Sequence, residues 1–264
     1  MIDTHCHIHE SGFYKDDREA VYQRAIAANV AMICVGTSEQ SSREAVEFVA
    51  THDGTWAIIG VHPHESQEGW GEIEEILRNL PLPSSPILER SELDAGSTAK
   101  IIGIGEIGLD YFYNHSPRDI QIRALEAQLQ LACDYNLPVS FHVREAYDDF
   151  WPIFANFHGV HGVLHSFTDS IENLEKALSL ELAIGVNGIS TFARDKQAMF
   201  DAVPLESMLL ETDAPFLTPT PLRGKVNEPA FVREVARYHA ERRHIPLDEI
   251  SAVTSTNARR IFSI

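Results

Sequence analysis

Met1-Ile2-Asp3-Thr4-His5-Cys6-His7 opens the chain. An extended strand through it sends His5 and His7 out on one side, because successive strand residues alternate between faces. Two imidazoles leaving together can close on one metal ion. Taken alone, such a pair is equally two ordinary polar residues or a tag remnant, so its meaning depends on what other strands present beside it. His9 continues the alternation but falls beyond the expected strand and is left out of the ligand set.

Working outward, short β-branched runs separated by longer segments of helical period predict strands at 1–6, 31–35, 56–61, 101–105, 138–141, 162–164, 182–186 and 208–210. Amphipathic helices are expected at 17–29, 42–52, 71–79, 117–136, 145–157 and 171–180, with 228–243 and 247–262 after the last strand. Alternating strand and helix, with strands apolar almost throughout, implies a parallel sheet buried on both faces. Eight such repeats predict one α/β domain over residues 1–264, a (β/α)8 TIM barrel with its site at the C-terminal ends of the strands. The Pro-, Ser- and charge-rich segment from Pro81 to Ala99 reads as an exposed helix-to-strand loop, on the face opposite the chemistry.

Composition narrows the classes. At 264 residues, 44% hydrophobic and 23% charged, the chain is long enough for a large core. It has no apolar run fit to span a bilayer, so no membrane partner is expected. Met1 leads straight into a strand with no signal-like segment, so the expected location is cytoplasmic. Cys6, Cys34 and Cys133 are expected to be buried free thiols in a reducing compartment. A net charge of -18 repels polyanions at long range, so any nucleic-acid contact must be local and carried by bound cations and a few basic side chains. No obligate protein partner is evident.

In a barrel the test is what stands at the strand ends. The first carries His5 and His7, and the third runs into Gly60-Val61-His62-Pro63-His64. The fourth delivers Gly105-Glu106, the fifth His142 and the sixth His165, and the eighth runs into Glu211-Thr212-Asp213. Four histidines and two carboxylates exceed what one tetrahedral zinc uses. Two divalent ions sharing a bridging carboxylate fit the count, with Glu106 as the bridge and a shared hydroxide as nucleophile. Asp213 can then be ligand and proton acceptor together. The ions could be Zn, Mn, Mg or Ni, since histidine favours transition metals and carboxylates accept all of them.

Gly103-Ile104-Gly105-Glu106-Ile107-Gly108 also spells G-x-G-x-x-G. A dinucleotide reading is set aside, because no helix start follows and a carboxylate inside the loop would repel phosphate. Beyond the last strand, the turn from Pro219 to Asn227 carries Arg223 and Lys225, and Arg223 could grip a phosphate bidentately. Tyr111, Phe112 and Tyr113 either pack on the barrel rim, the preferred reading, or stack on a base.

With these residues assembled, the chain resembles the TatD family of metal-dependent DNases, among the amidohydrolase-like barrels. The matching segments are Ile2 to His7, Gly60 to Pro63, Gly105 to Tyr111, Leu164 to Phe167, Gly185 to Gly188, Leu210 to Pro215 and Arg223 to Asn227. The resemblance implies that His5, His7, Glu106 and Asp213 hold one metal and that Glu106, His142 and His165 hold the second. It further implies 3′-to-5′ exonuclease or phosphodiesterase activity on single-stranded DNA or DNA 3′ ends, with Arg223 and His62 or His64 on substrate phosphate and Asn227 in the same matched loop. Glu211, on the strand face of Asp213, is expected to orient that residue or the attacking water. The alternative is an ester or amide hydrolase on the same barrel, including deacylation of misacylated tRNA.

Overall fold

The computed structural model describes residues 1–79, 100–113 and 115–264. Eight strands run β1 (Ile2–Cys6), β2 (Ala31–Val35), β3 (Thr55–Ile59), β4 (Ile101–Asp110), β5 (Val139–Arg144), β6 (Gly162–Leu164), β7 (Ala183–Val186) and β8 (Met208–Leu210). They pair in sequence order, every pair parallel. Between and after them lie α1 (Ser11–Tyr14), α2 (Arg18–Ala27), α3 (Glu39–Thr51), α4 (Glu72–Arg78), α5 (Arg118–Tyr135), α6 (Tyr147–Phe154), α7 (Ile171–Ser179), α8 (Gln197–Ala202), α9 (Val232–Arg243) and α10 (Leu247–Phe262). This is the expected barrel. The segment 81–99 lies outside the described residues.

Where β8 meets β1 the seam is held partly by side chains. Cys6 and Ala214 form a parallel bridge. The Asp213 N–H donates to the His5 carbonyl (2.9 Å) and the His7 N–H to the Ala214 carbonyl (2.8 Å). Buried Asp3 accepts from the Thr212 N–H (2.8 Å) and hydroxyl (2.6 Å). The seam therefore sets His5 of β1 and His7 just beyond it against the loop bearing Asp213.

Alternation along the strands explains their continuous hydrophobicity. Met32, Cys34, Ala57 and Ile59 belong to the larger cluster, which the surrounding helices cover. Their neighbours Ile33, Val35 and Ile58 join Ile102, Val163, Ala183 and Leu209 in a second cluster closed by Ala258, Ile261 and Phe262 of α10. The last helix thus covers the interior layer, while the polar layer of the site occupies the other end of the barrel.

Two strands run further than their apolar runs suggest. β4 continues to Asp110 rather than stopping at Gly105, and β5 continues to Arg144, so His142 lies within a strand. The glycines of the G-x-G-x-x-G string are strand residues. Gly108 has φ +154°, and a Cβ there would sit 1.8 Å from the His142 carbonyl oxygen, so only glycine permits this approach of β4 to β5. The β4 to β5 register shifts between Gly105 and Ile107, an irregularity of the kind that re-aims a side chain, here Glu106. Among the cysteines, Cys6 and Cys34 are buried free thiols as expected, whereas Cys133 is only partly buried on the outward side of α5.

Candidate metal centre

Glu106 is the hub. Its carboxylate lies 3.2 Å from His5 Nε2, 2.9 Å from His142 Nδ1, 3.4 Å from His165 Nε2 and 3.5 Å from His62 Nε2. Asp213 Oδ1 stands 3.3 Å from His7 Nε2, 3.8 Å from His5 Nε2 and 3.9 Å from His165 Nε2. Asp213 has φ +57°, a left-handed conformation that aspartate tolerates better than most side chains, placed where the chain leaves β8. The structure therefore brings His5, His7, Glu106, His142, His165 and Asp213 into one cluster. All are buried except His142 and Asp213, which keep partial exposure.

What stands behind each imidazole decides which nitrogen faces inward. The His7 Nδ1–H donates to the Val35 carbonyl (2.9 Å), and His5 Nδ1 faces Ser140 Oγ at 3.3 Å. The His142 Nε2–H donates to Asp110 Oδ2 (2.9 Å), and His165 Nδ1 faces Glu211 Oε1 at 3.1 Å. His5, His7 and His142 are oriented from behind by a hydroxyl, a carbonyl and a carboxylate, and His165 Nδ1 faces the Glu211 carboxylate without a well-aligned hydrogen bond; each ring turns its other nitrogen toward Glu106 or Asp213, the outer-shell pattern of metal-binding histidines. His5 Nε2 is buried with no hydrogen-bond partner, and the His5 and His165 rings stack with centroids 3.5 Å apart. Imidazole nitrogens converging on two carboxylates, that of His5 buried without a hydrogen-bond partner, fit divalent cations.

Compact donor groups form at His5–His7–Glu106, at His5–His165–Glu211 and at His62–Glu106–His142. The tautomer of His62 and the placement of Glu211 set both apart from the proposed ligands. His62 Nδ1 accepts the His64 N–H (3.1 Å), so the neutral ring carries its proton on Nε2 and offers Glu106 a donor rather than a lone pair. Burial, with His142 and His64 nearby, holds the His62 pKa well below the ordinary histidine value despite Glu106. Glu211 accepts the Ser166 N–H (2.7 Å). Its carboxylate fills the space a Cβ on Gly185 would need, 2.4 Å from the nearer oxygen. It backs His165 rather than reaching Asp213.

The remaining candidates lie apart from the hub. His64 spends Nε2 on Asp110 (3.1 Å). Arg223 is exposed, its guanidinium 4.0 Å above the Phe192 ring and donating to the Thr218 carbonyl (2.8 Å). Asn227 is fully buried. Its amide donates to the Thr212 carbonyl (2.9 Å) and the Phe216 carbonyl (2.5 Å), and its oxygen accepts the Glu228 N–H (3.0 Å). No polar atom of that side chain is left for a substrate, so Asn227 braces the loop behind Asp213. His9 pairs with Ser41 (3.0 Å), away from the cluster.

Asp110 and Asp3 are polar residues of the site for which the sequence analysis has no role. Asp110 accepts from the Phe112 and Tyr113 N–H groups (3.0 and 2.9 Å) while its other oxygen serves His142 and His64. Burial opposes its ionisation, but His142, His64 and the Tyr113 amide hold its pKa below the carboxylate range. The signal that could have found it was the length of β4: with the strand extended to residue 110, Asp110 becomes a strand-end carboxylate beside His142. Burial pushes the Asp3 pKa well above the usual carboxylate value, against the hydrogen bonds from Thr212.

The family model described as TatD related DNase matches residues 2–263. The chain belongs to the TatD related DNase family. It is 34% identical to the uncharacterized metal-dependent hydrolase YabD of Bacillus subtilis, covering 100% of this chain and 99% of that protein. It is also 34% identical to the 3'-5' ssDNA/RNA exonuclease TatD of Erwinia amylovora, covering 100% of both. Among solved structures it superposes with TM-score 0.86 on YJJV, a TatD homolog from Escherichia coli K12, at 28% identity over 100% of this chain and 98% of that one. Like its family, the chain is a metal-dependent hydrolase. No described helix is long and apolar enough to cross a membrane.

The charges predict how a TatD-family site takes up its ions. Burial works to lower the pKa of His7, but Asp213 and Glu106 raise it to about 9. Burial likewise opposes His165, which Glu211 and Glu106 raise to about 10. Both shifts favour the protonated rings in the metal-free protein. Their contribution to stability is present below the unfolded histidine value of about 6.5 and is lost as pH rises through about 9 and 10. A bound cation must displace these protons. Calorimetric titration with Mn²⁺ in buffers of different ionisation enthalpy is expected to show net proton release at pH 7, and an apparent affinity that tightens by about tenfold per pH unit for each proton displaced. Affinity independent of pH between 6 and 9 would contradict the assignment.

Proposed function

We propose that this chain is a 3′-to-5′ exonuclease on single-stranded nucleic acid that uses two divalent ions. His5, His7, Glu106 and Asp213 would hold one ion, and Glu106, His142 and His165 the other. The supporting observation is the convergence of four buried or half-buried imidazoles, each with a polar group behind it, on Glu106 and Asp213. It occurs in a chain 34% identical over its full length to a protein named as such an exonuclease.

When bound, the ions supply Lewis-acid charge to the phosphoryl oxygens and lower the pKa of water. The protein's own groups divide the remaining work. Asp213 is partly exposed, with its Oδ1 shared among three imidazoles, and is the base that takes the proton of the attacking water. The His62 Nε2–H, fixed by the His64 amide, donates to a phosphoryl oxygen and stabilises the charge that develops there. Asp110 and Glu211 hold His142 and His165 in register. Arg223, whose guanidinium lies 4.0 Å from the Phe192 ring centroid, would meet a phosphate further along the strand.

Digestion of 5′-labelled and 3′-labelled single strands with Mg²⁺ or Mn²⁺ tests this. Early loss of the 3′ label with a descending 5′-labelled ladder is expected, and EDTA should abolish both. No cleavage by protein shown to carry its ions would transfer the site to carbonyl substrates.

A further inference from the structure

The mouth of the barrel carries exposed aromatic side chains that metal chemistry does not use. Phe112 is 47% and Tyr113 43% exposed, contrary to the expectation that they pack on the rim; only Tyr111 packs against the core. The Arg144 guanidinium lies 4.0 Å from the Phe112 ring centroid and 4.9 Å from that of Tyr113, making a cationic plane backed by two rings. This group is one residue contact from the centre, since the Phe112 and Tyr113 amides bind the same Asp110 whose other oxygen takes the His142 proton. Arg144 follows His142 by two positions on β5 and leaves on the same face.

Across the mouth a second pair repeats the arrangement. Phe13 is 40% and Phe216 48% exposed, with centroids 5.2 Å apart, and Phe216 lies 6.3 Å from His7. These residues follow β1 and β8, whereas in the first group Phe112 and Tyr113 follow β4 and Arg144 ends β5. In a sheet ordered β1 to β8 and joined at its ends, that is halfway round the barrel. Large exposed apolar rings on both sides of the site, one set carrying the Arg144 cation, call for a ligand that is flat, apolar on its faces and anionic elsewhere, held locally against the repulsion of a chain of net charge -18. An unpaired nucleobase on its phosphate backbone has those properties, and base-on-aromatic stacking with help from arginine is how single strands are held without sequence readout.

We infer that a single-stranded polynucleotide crosses the barrel mouth with one unpaired base on Phe112, Tyr113 and Arg144 and another on Phe13 and Phe216, which places the phosphodiester between them on the metal centre. Paired bases have their faces covered, so this arrangement selects single strands over duplex. The inference rests on the exonuclease reading and adds the means of substrate selection.

The test compares intact single strands with strands carrying an abasic residue at the 3′-terminal or the penultimate position. It reads kcat/KM with Mn²⁺ and, on metal-free protein in EDTA, binding by fluorescence anisotropy. The wild-type protein is expected to lose roughly 5- to 150-fold at each abasic position, from about 1–3 kcal/mol per stacked base. Phe112→Ala should erase the penalty at one position and keep it at the other. Phe216→Ala should do the converse, and Phe112→Trp should retain both penalties. Because the readout is a ratio within one protein, a general loss of stability leaves it unmoved. Cleavage with both penalties intact in both alanine variants would overturn the stacking inference alone, whereas no cleavage or binding of any single strand by the wild type would overturn the exonuclease reading with it.

Discussion

Replacing Glu106 with Gln is expected to lower kcat/KM by at least two to three orders of magnitude and to strip the protein of most of its bound metal. The substitution keeps the shape of the side chain and removes only its charge. That charge is what four imidazole nitrogens face within 3.5 Å, and in the proposed arrangement it neutralises both ions. Burial opposes ionisation of Glu106, yet the surrounding His165, His62 and His5 rings and the His142 hydrogen bond hold its pKa well below the usual carboxylate value. Metal content by plasma emission, turnover on a labelled strand and circular dichroism would be read together. A folded Glu106→Gln protein with two ions and near-normal turnover would sink the shared-carboxylate account.

Asp110→Asn is expected to cost 10- to 100-fold in metal affinity or activity, the usual effect of removing a carboxylate behind a metal-binding histidine. Asparagine can still accept the Phe112 and Tyr113 amides, so the turn should persist. What disappears is the negative partner of His142 and His64, and with it part of the upward shift of the His142 pKa that Asp110 and Glu106 sustain against burial. The distinguishing readout is NMR titration of the His142 ring, which should ionise at lower pH in the metal-free variant. An unchanged His142 titration with unchanged metal affinity would leave Asp110 a turn residue only.

Most of the barrel was legible because parallel strands buried on both faces leave unbroken apolar runs, and the spacing of those runs survives in one dimension. The ends of strands were less so. The apolar run ends the expected fourth strand at Gly105, yet β4 runs on through Gly108, since a glycine inside a sheet marks a backbone that must pass close to its neighbour. Stopping the strand at Gly105 is what hid Asp110. The potential ligands were legible because each stands at or just beyond an apolar run, where a barrel gathers its chemistry.

By itself the sequence determined the fold class, the family and the identity of the side chains that gather at one end of the barrel. These follow from residue types at strand-period positions along a single chain. Only the tertiary structure decided what each does there, because tautomer, orientation and availability depend on partners distant in sequence. Val35 turns His7, Glu211 faces His165, and the His64 amide makes His62 a donor. Asn227, in the same matched loop as Arg223, spends its amide on loop carbonyls. A hydrogen bond is made between surfaces that folding brings together, and no pattern of spacing along the chain records which of two ring nitrogens will find one.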